Sequence, residues 1–331
     1  MTVVVTGATG FIGGALARRL AEGGEAVRGL VRPGGGRRPL PPGVLPIAGD
    51  ITDRTSLEAA FAGATVIYHC AGLVADWGPW PAFEASNVAG TANVVAAARA
   101  AGVRRLVHMS SVSVYGFPGG SEIAEDTAFV PRPSDPYVTS KATAETIARA
   151  AHGDDLEVAI VRPAGVYGPG DTTTSAPLLD ALAARRFVFV DGGRHRMAPV
   201  HIDNLVDLVI RAGTRPEAAG EAFNAVDDGH VTWRDYIGWM CDDLGCPPPR
   251  LSLPRALAWP LAGLVEDIAR LTRRRAAPPV TRYRLRAVMR DHHYATAKAK
   301  QRLDWQPRVA TRAGIAGTVA WYRAMKEGSA V

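Results

Sequence analysis

The chain has 331 residues, of which 47% are hydrophobic and 21% are charged, and its formal net charge is +6. This size predicts two small domains or one domain with a substantial second lobe, and the composition is typical of a folded soluble protein. The positive charge fits a phosphate-bearing cofactor as well as nucleic acid, but no zinc-finger spacing or long basic tail favours nucleic acid as a partner.

The three cysteines, Cys70, Cys241 and Cys246, form neither a metal-ligand pattern nor a disulfide framework. Their odd and sparse occurrence predicts a reducing, cytoplasmic location and no metal site. The chain enters a strand pattern at Val3, and its apolar runs are too short to cross a bilayer. We therefore expect neither a signal peptide nor an integral membrane segment.

A short apolar strand at residues 3–5 runs into a glycine-rich turn and then a helical pattern at residues 15–20. Gly7, Gly10 and Gly13 allow the backbone to approach a pyrophosphate closely, and the helix that follows offers N–H groups and a positive dipole. Glycines also make ordinary tight turns, but their position between a strand and a helix favours nucleotide binding.

Strands and helices alternate through the first half of the chain. Further strands are predicted at residues 26–31, 44–48, 66–70, 105–109 and 158–161, with helices at 55–61, 83–101 and from 137. This alternation predicts an α/β protein with a Rossmann-type doubly wound parallel sheet, which binds ligands beyond the carboxyl ends of its strands. We assign residues 1–165 to a dinucleotide-binding domain and 166–331 mainly to a smaller α/β substrate lobe, with segments near 198–226 returning to the sheet.

Tyr137 and Lys141 are four residues apart on a helix that Pro136 is suited to begin, so they share one face. A free tyrosine has a pKa near ~10, and a neighbouring ammonium group stabilises the phenolate and lowers that pKa toward the working range. The pair is a candidate general acid/base. The alternative, a solvated helix face, is common for this spacing alone.

Together with the glycine turn and Ser111, this pair makes the chain resemble the extended short-chain dehydrogenase/reductases over nearly its whole length. The matching segments, in order, are Asn87–Thr91, Ser110–Gly116, Arg162–Gly170, His201–Asn204 and the closing pattern Tyr294, Lys298, Leu303, Trp305 and Pro307. The resemblance is specific to the superfamily and much less so to a substrate.

The resemblance implies that Tyr137 is the acid/base and that Lys141 lowers its pKa while binding the nicotinamide ribose. Ser111 would orient the substrate oxygen, with Ser110 and Ser113 as alternatives, and Asn87 would brace the site. By the same analogy, the residues near the cofactor, besides Tyr137 and Lys141, would be Gly7, Thr9, Gly10, Phe11, Ile12, Gly13, Asp50, Ile51, Ala71, Gly72, Ser110 and Pro163.

Cofactor choice is predicted from the end of the second strand. NAD-specific members of this family often place an aspartate there, whereas this chain has Val31 followed by Arg32, with Arg37 and Arg38 close behind. A basic side chain at this place suits a 2′-phosphate. We therefore expect NADP(H) to be preferred, with NAD(H) as the alternative.

The substrate prediction rests on Met197, which fills the place where sugar-nucleotide epimerases and dehydratases usually carry an arginine. The segment looks closer to the branch resembling 3β-hydroxysteroid dehydrogenases. Trp77 and Trp80 could wall an apolar pocket or pack a surface loop, and Ser113 and Val166 are further candidates for substrate contact.

These features predict an NADP(H)-preferring oxidoreductase that interconverts a ketone and a secondary alcohol on a steroid-like, polyketide-like or fatty β-keto substrate. One alternative is a sugar-nucleotide epimerase or dehydratase with tightly held NAD(P). A second is a non-catalytic dinucleotide-binding protein, against which the Tyr137 and Lys141 pair argues.

Two further expectations concern surfaces. The alanine-rich helices at 83–101 and 137–151 match those that relatives often pair into a four-helix bundle, which predicts a homodimer. The apolar stretch at 259–271, followed by arginines, could cap the substrate pocket, touch a membrane or become buried, and we favour capping or burial.

Overall fold

The structure, a computed structural model, describes residues 1–35, 38–132, 134–272, 274 and 276–328. Its strands are β1 Thr2–Thr6, β2 Ala26–Val31, β3 Val44–Ala48, β4 Val66–His69, β5 Arg105–Met109, β6 Gly120–Ile123, β7 Glu157–Pro163, β8 Gly165–Tyr167, β9 Phe189–Val190, β10 Arg196–Met197, β11 Pro199–His201, β12 Ala222–Ala225, β13 Val231–Thr232, β14 Ser252–Leu253 and β15 His292–Tyr294.

The α-helices are α1 Phe11–Glu22, α2 Arg54–Phe61, α3 Trp80–Phe83, α4 Gly90–Ala100, α5 Pro136–Ala150, α6 Ser175–Ala183, α7 Ile202–Thr214, α8 Trp233–Leu244, α9 Arg255–Leu271, α10 Arg282–Val288, α11 Ala297–Leu303 and α12 Thr311–Gly328. A π-helical turn at Glu84–Ala89 joins α3 to α4, and 3₁₀ turns lie at Val112–Tyr115, Asp191–Gly193 and Pro216–Ala218. No helix among the described residues is long and apolar enough to cross a membrane.

Seven parallel strands form the central sheet in the order β3-β2-β1-β4-β5-β7-β12. Val3, Val4 and Val5 are completely buried because both faces of β1 are covered. Val3 and Val5 pack into a core shared with α1 and α7, whereas Val4 packs into the opposite core with α2 and α4. The doubly wound α/β fold is therefore confirmed, and its crevice lies where the strand order reverses, between β1 and β4.

The helix predicted at 83–101 differs from the structure in two ways. It begins earlier, at Trp80, and it contains the π-helical turn Glu84–Ala89. A wide turn of this kind is rare and often occurs at functional sites. Here it includes Asn87, which faces the loop after β4.

The second lobe has its own core, formed by α6, α8 and the C-terminal helix α12. Between its segments the chain revisits the sheet, because α7 packs against α1 and β12 pairs with β7. A smaller cluster joins α9 to α10, with Ala258 and Ala262 against Leu285.

Five of the alanines in α4 and α5 are buried within the chain itself: Ala97, Ala98, Ala142, Ala144 and Ala148. A homodimer through these helices stays a prediction, and it would use their exposed side chains. In α9, the large apolar side chains of residues 257–271 face outward, so burial of that whole stretch is wrong. The small residues face inward there because α10 packs closely against α9.

Candidate active site

The loop after β1 is shaped by glycines that pack backbone against backbone. Gly7 has a φ of 71°, which favours glycine, and a Cβ there would lie 2.9 Å from the Ala71 nitrogen. A Cβ on Gly13 would lie 2.2 Å from the Gly7 carbonyl oxygen. Glycine at position 7 therefore lets the loops after β1 and β4 approach each other at the crevice, and glycine at position 13 lets α1 approach the loop after β1.

The start of α1 is suited to an anion. Gly10 precedes the helix without a side-chain cap, and the first turn carries no acidic residue. Among the described residues, no side chain caps the N–H groups of that turn, and the helix dipole adds positive potential. Thr9, Phe11 and Ile12 are partly exposed there. This arrangement fits the pyrophosphate of a dinucleotide.

A buried histidine fixes the position of the loop after β4. The Thr6 hydroxyl accepts a hydrogen bond from the Ala71 N–H at 3.1 Å and lies 2.9 Å from His69 Nδ1. On its other side, His69 Nε2 lies 3.1 Å from the Thr91 hydroxyl. Burial, with a smaller contribution from the charge of Lys141, lowers the pKa of His69 to about 3. The neutral ring thus bridges β1, β4 and α4.

Asn87 connects that same loop to the helix that carries Tyr137. Its amide accepts from the Leu73 N–H at 2.7 Å and donates to the Leu73 carbonyl at 3.0 Å. It also donates to the Ser140 hydroxyl at 2.9 Å, which in turn donates to the Tyr137 carbonyl at 2.9 Å. Gly72 is close by, since a Cβ on it would lie 3.0 Å from the Asn87 oxygen.

Tyr137 lies in the first turn of α5 and is 8% exposed. Its ring packs edge-on against Tyr283 of α10, with centroids 5.9 Å apart, and Tyr283 contacts Phe117 in the same way at 5.4 Å. An ion pair between Asp135 and Arg286 joins the start of α5 to α10. The Tyr137 phenol is therefore packed among aromatic side chains, and contacts between α5 and α10 fix its surroundings.

The pKa values differ from the sequence prediction. Burial raises the pKa of Tyr137 to about 12, while a hydrogen bond with the Ser111 side chain acts in the opposite direction. Burial likewise lowers the pKa of Lys141 to about 8, against the charges of Glu145 and Cys70. The predicted lowering of the Tyr137 pKa is absent, because desolvation dominates and the Lys141 Nζ donates to the Met109 carbonyl at 2.5 Å.

The three candidate serines have distinct surroundings. Ser111 interacts with Tyr137 and caps the following 3₁₀ turn by accepting from the Ser113 N–H at 3.1 Å. The Ser110 hydroxyl donates to Glu145 at 2.5 Å, below the crevice. Ser113 is buried, and its hydroxyl has no hydrogen-bond partner among the described residues. Ser111 is therefore the serine that the fold brings to Tyr137.

A buried ion pair supports the site from beneath, and sequence reasoning missed it. Glu145 and Arg162 are both fully buried, and Arg162 Nη2 lies 2.6 Å from Glu145 Oε1. Arg162 also donates to the Tyr115 hydroxyl, which donates to Asn224 Oδ1 at 2.8 Å. The sequence contains two indications of this ion pair: Glu145 is four residues beyond Lys141 on the same helix, and Arg162 is a charged residue within an apolar strand.

The candidate adenosine contacts line the other side of the crevice. Asp50 Oδ1 accepts from the Thr52 N–H at 2.9 Å, and Ile51 packs against Gly90. Arg32 is exposed at the end of β2. On the nicotinamide side, Pro163 is buried at the end of β7, where it pairs with Ala225.

Arg38 reaches across the crevice. It donates to the Gly170 carbonyl at 3.0 Å and also bonds to the Thr172 hydroxyl. A Cβ on Gly170 would lie 3.6 Å from the Phe11 ring, so the contact is beside the start of α1. Arg37 lies outside the described residues.

The candidate substrate residues are not all brought together. The Trp77 indole N–H donates to the Arg274 carbonyl at 3.1 Å, and its ring is 5.5 Å from the Arg270 guanidinium, so it packs against the end of α9. Trp80 is 37% exposed at the start of α3.

Val166 and Met197 occupy neighbouring parts of the second lobe. Val166 pairs with Val200 between β8 and β11. The Met197 methyl is 3.5 Å from where a Gly165 Cβ would lie, and Met197 lines a cavity of about 60 Å³ with Asp227 and Tyr294.

A larger and strongly basic cavity lies at the edge of the second lobe. Its volume is about 520 Å³, and its lining includes Arg196, Arg255 and Arg290. His195 and His293 are also in its wall, together with one acidic residue, Asp291. This composition suits an anionic group.

The chain is similar to several known enzymes along nearly its whole length. It is 30% identical to a 4-hydroxy-2-methyl-3-oxo-4-farnesyl-3,4-dihydroquinoline-1-oxide ketoreductase of Stigmatella aurantiaca, covering 95% of both chains. It is 29% identical to a 2-alkyl-3-oxoalkanoate reductase of Stenotrophomonas maltophilia, covering 95% of this chain and 97% of the relative. It is 32% identical to a UDP-glucose 4-epimerase of Mycolicibacterium smegmatis, covering 98% of this chain and 99% of the relative.

A solved structure and a family model agree with the fold. The structure of MoeE5 in complex with UDP-glucose and NAD is 25% identical, with a TM-score of 0.77, and covers 98% of this chain and 100% of that one. Residues 3–225 match the model of the NAD dependent epimerase/dehydratase family. The chain therefore belongs to this family within the extended short-chain dehydrogenase/reductases, and it is an NAD(P)-dependent oxidoreductase.

Proposed function

We propose that this oxidoreductase interconverts a ketone and a secondary alcohol on a mostly apolar substrate, with NADP(H) as the preferred cofactor. The observation that carries the proposal is the buried Tyr137 phenol, which interacts with Ser111 and packs among Tyr283 and Phe117. The names of two relatives, a ketoreductase and a 2-alkyl-3-oxoalkanoate reductase, support a β-keto substrate.

The cofactor would lie along the crevice between β1 and β4. In this proposal the N–H groups at the start of α1 hold its pyrophosphate, Asp50 and Ile51 flank the adenine, and Ala71 and Gly72 approach its sugar-phosphate backbone. The nicotinamide end lies toward Pro163. When bound, the nicotinamide donates or accepts a hydride at the substrate carbon.

The proton would move at the Tyr137 hydroxyl. In reduction, the carbonyl oxygen accepts hydrogen bonds from Tyr137 and Ser111, and Tyr137 gives up its proton as negative charge forms on that oxygen. A pKa of about 12 keeps the phenol protonated at neutral pH, ready to donate. The Lys141 ammonium then stabilises the phenolate that remains.

Replacing Tyr137 by phenylalanine tests this assignment. Tyr137→Phe should keep the fold and cofactor binding but lose ~10²–10⁴-fold in turnover of 3-oxo acids and steroid ketones, because no acid remains. Tyr283→Phe is the matched control, since it removes a neighbouring hydroxyl and leaves Tyr137 in place. Near-normal turnover by Tyr137→Phe would reject the role of this residue.

A sugar-nucleotide epimerase or dehydratase is the second candidate. The basic cavity lined by Arg196, Arg255 and Arg290 favours it, because a diphosphate needs cationic partners when it leaves water. A UDP-glucose 4-epimerase is also among the relatives. Absorbance of reduced nicotinamide on a panel of apolar ketones, with epimerisation and dehydration of UDP- and dTDP-sugars assayed separately, distinguishes the two. Conversion of a nucleotide sugar with no turnover of apolar ketones would assign the second function.

A further inference from the structure

The basic cavity of about 520 Å³ lies next to the candidate active site. On α10, Tyr283 packs against Tyr137, and Arg286 follows one turn later on the same face of the helix. Phe117 contacts Tyr283, and the chain continues from it into residues 118–120, which line the cavity. Two aromatic side chains therefore connect the Tyr137 phenol to the cavity wall.

Two arginines in this wall have no carboxylate partner among the described residues. The Arg196 guanidinium donates to the Gly229 carbonyl at 2.8 Å. The Arg290 guanidinium donates to the Pro118 carbonyl at 2.9 Å, and its stem packs over Gly119, where a Cβ would lie 3.0 Å from Arg290 Cδ. A guanidinium group has five N–H donors, so each arginine keeps most of its donors for a ligand.

The acidic residues nearby do not neutralise both arginines. Asp191 pairs with Arg255 at 3.0 Å, so Arg255, the third arginine of the wall, already has its counter-charge. Asp291 accepts from the Arg196 backbone N–H at 2.7 Å and lies 3.6 Å from His195. Among the lining residues, Asp291 is then the one carboxylate for two unpaired guanidinium groups. The wall is net positive even with its histidines neutral.

A further arginine, Arg132, adds to this charge beside α10. Its Nε is buried and has no hydrogen-bond partner among the described residues. Arg286 pairs with Asp135, yet burial, and then the charges of Arg132 and Arg290, lower its pKa. These guanidinium groups are thus close enough to repel one another, and an anion bound among them would relieve that repulsion.

We propose that the ketone substrate carries a phosphate-bearing tail and that Arg196 and Arg290 bind this tail in the basic cavity. The planar guanidinium matches phosphate with two parallel hydrogen bonds. The carboxylate of a β-keto acid lies within a few atoms of the reacting carbonyl, whereas a phosphate at the end of a pantetheine chain extends past Tyr283 and Phe117. The substrate class is therefore a 3-oxoacyl thioester of a phosphopantetheine group, as in coenzyme A. This inference rests on the proposed ketone reduction and names its substrate more closely.

Two matched substrates test the proposal on the full chain with NADPH. Acetoacetyl-coenzyme A and the acetoacetyl thioester of N-acetylcysteamine share the ketone and the thioester, but only the first has phosphates. We expect the KM for the coenzyme A ester to be lower by about tenfold or more, at a similar kcat. Arg290→Gln should raise that KM about tenfold and leave the KM for the other ester unchanged. Arg302→Gln, at a half-exposed arginine on α11, is the matched control and should behave like the parent.

Several outcomes would overturn the proposal. Equal KM values for the two esters in the parent would reject the phosphate site, while reduction of both would still support the proposed function. An equal rise of both KM values in Arg290→Gln would assign this arginine a structural role.

Binding gives a readout that needs no turnover. In calorimetry on the protein saturated with NADP, phosphopantetheine should bind about tenfold more tightly than pantetheine, and Arg290→Gln should remove the difference. Equal binding of the two by the parent would reject the site even if neither ester is reduced. Conversion of UDP-glucose that Arg290→Gln abolishes would assign the cavity to a nucleotide sugar instead.

Discussion

The variant Lys141→Met tests whether the ammonium beside Tyr137 is kept buried at a cost in stability. Burial lowers the pKa of Lys141 from 10.5 to about 8, although the charges of Glu145 and Cys70 act to raise it. The unfolded chain then binds more protons than the folded protein between these two pKa values, so stability rises with pH across that window. The methionine side chain has a similar length to that of lysine and carries no titratable group.

The magnitude follows from the two pKa values. Below about pH 8 the lysine is charged in both states and the full cost of ~3 kcal/mol is present, whereas well above its unfolded pKa the cost vanishes. Between about pH 7 and about pH 10 the parent should therefore regain ~2–3 kcal/mol relative to Lys141→Met. Loss of the hydrogen bond to the Met109 carbonyl adds an offset of about 1 kcal/mol that does not change with pH.

Urea unfolding of both proteins at both pH values measures this difference. The free energy of unfolding of Lys141→Met minus that of the parent should fall by ~2–3 kcal/mol on going to the higher pH. Lys326→Met, at a lysine that is about half exposed on α12, is the control and should show no comparable change. A difference between Lys141→Met and the parent that stays constant with pH would refute the reasoning. Turnover by Lys141→Met should be strongly reduced at either pH.

Three further predictions concern the buried ion pair beneath the site, the choice of cofactor and the oligomeric state. Glu145→Gln should lower the free energy of unfolding in urea by ~3–5 kcal/mol, because it leaves Arg162 buried without a counter-charge. Glu58→Gln, which removes the charge from an exposed ion pair, is the control and should lower it by less than ~1 kcal/mol. Equal losses in the two variants would contradict this prediction. Arg32→Asp should reduce the preference for NADPH over NADH by about tenfold in binding titrations, and tighter binding of NAD by the parent would refute the role of Arg32. Light scattering should report a homodimer at micromolar concentration, and a monomer would reject the pairing of the α3–α4 and α5 helices.

The central sheet was predictable because its signals are local. The strands β2 and β3 begin and end at the predicted residues, since each apolar run is bounded by glycine, proline or charged residues. The glycine-rich turn that contains Gly7 and Gly13 was also predictable, because closely spaced glycines between a strand and a helix are typical of this turn. Fold class and family followed from these patterns and are confirmed.

The interior of the site was harder to predict because it depends on contacts between distant segments. Nothing near Glu145 in the sequence indicates that Arg162 will neutralise it, and the π-helical turn at Asn87 forms around a loop 14 residues away. The prediction of a lowered pKa for Tyr137 differs from the structure for a similar reason. Helix spacing predicts that Lys141 is a neighbour, but it does not show how much water the fold removes from both groups.

The contact of Arg38 with Gly170 and Thr172 has a kinetic consequence. It ties the loop after β2 to the loop after β8 beside Phe11, at the start of α1. In the proposed complex, a dinucleotide held at that turn would lie beside this contact, and the contact between the two loops would open before the cofactor leaves. We therefore expect cofactor release to be slow relative to hydride transfer, so that the lifetime of the complex would be set far from the reacting atoms.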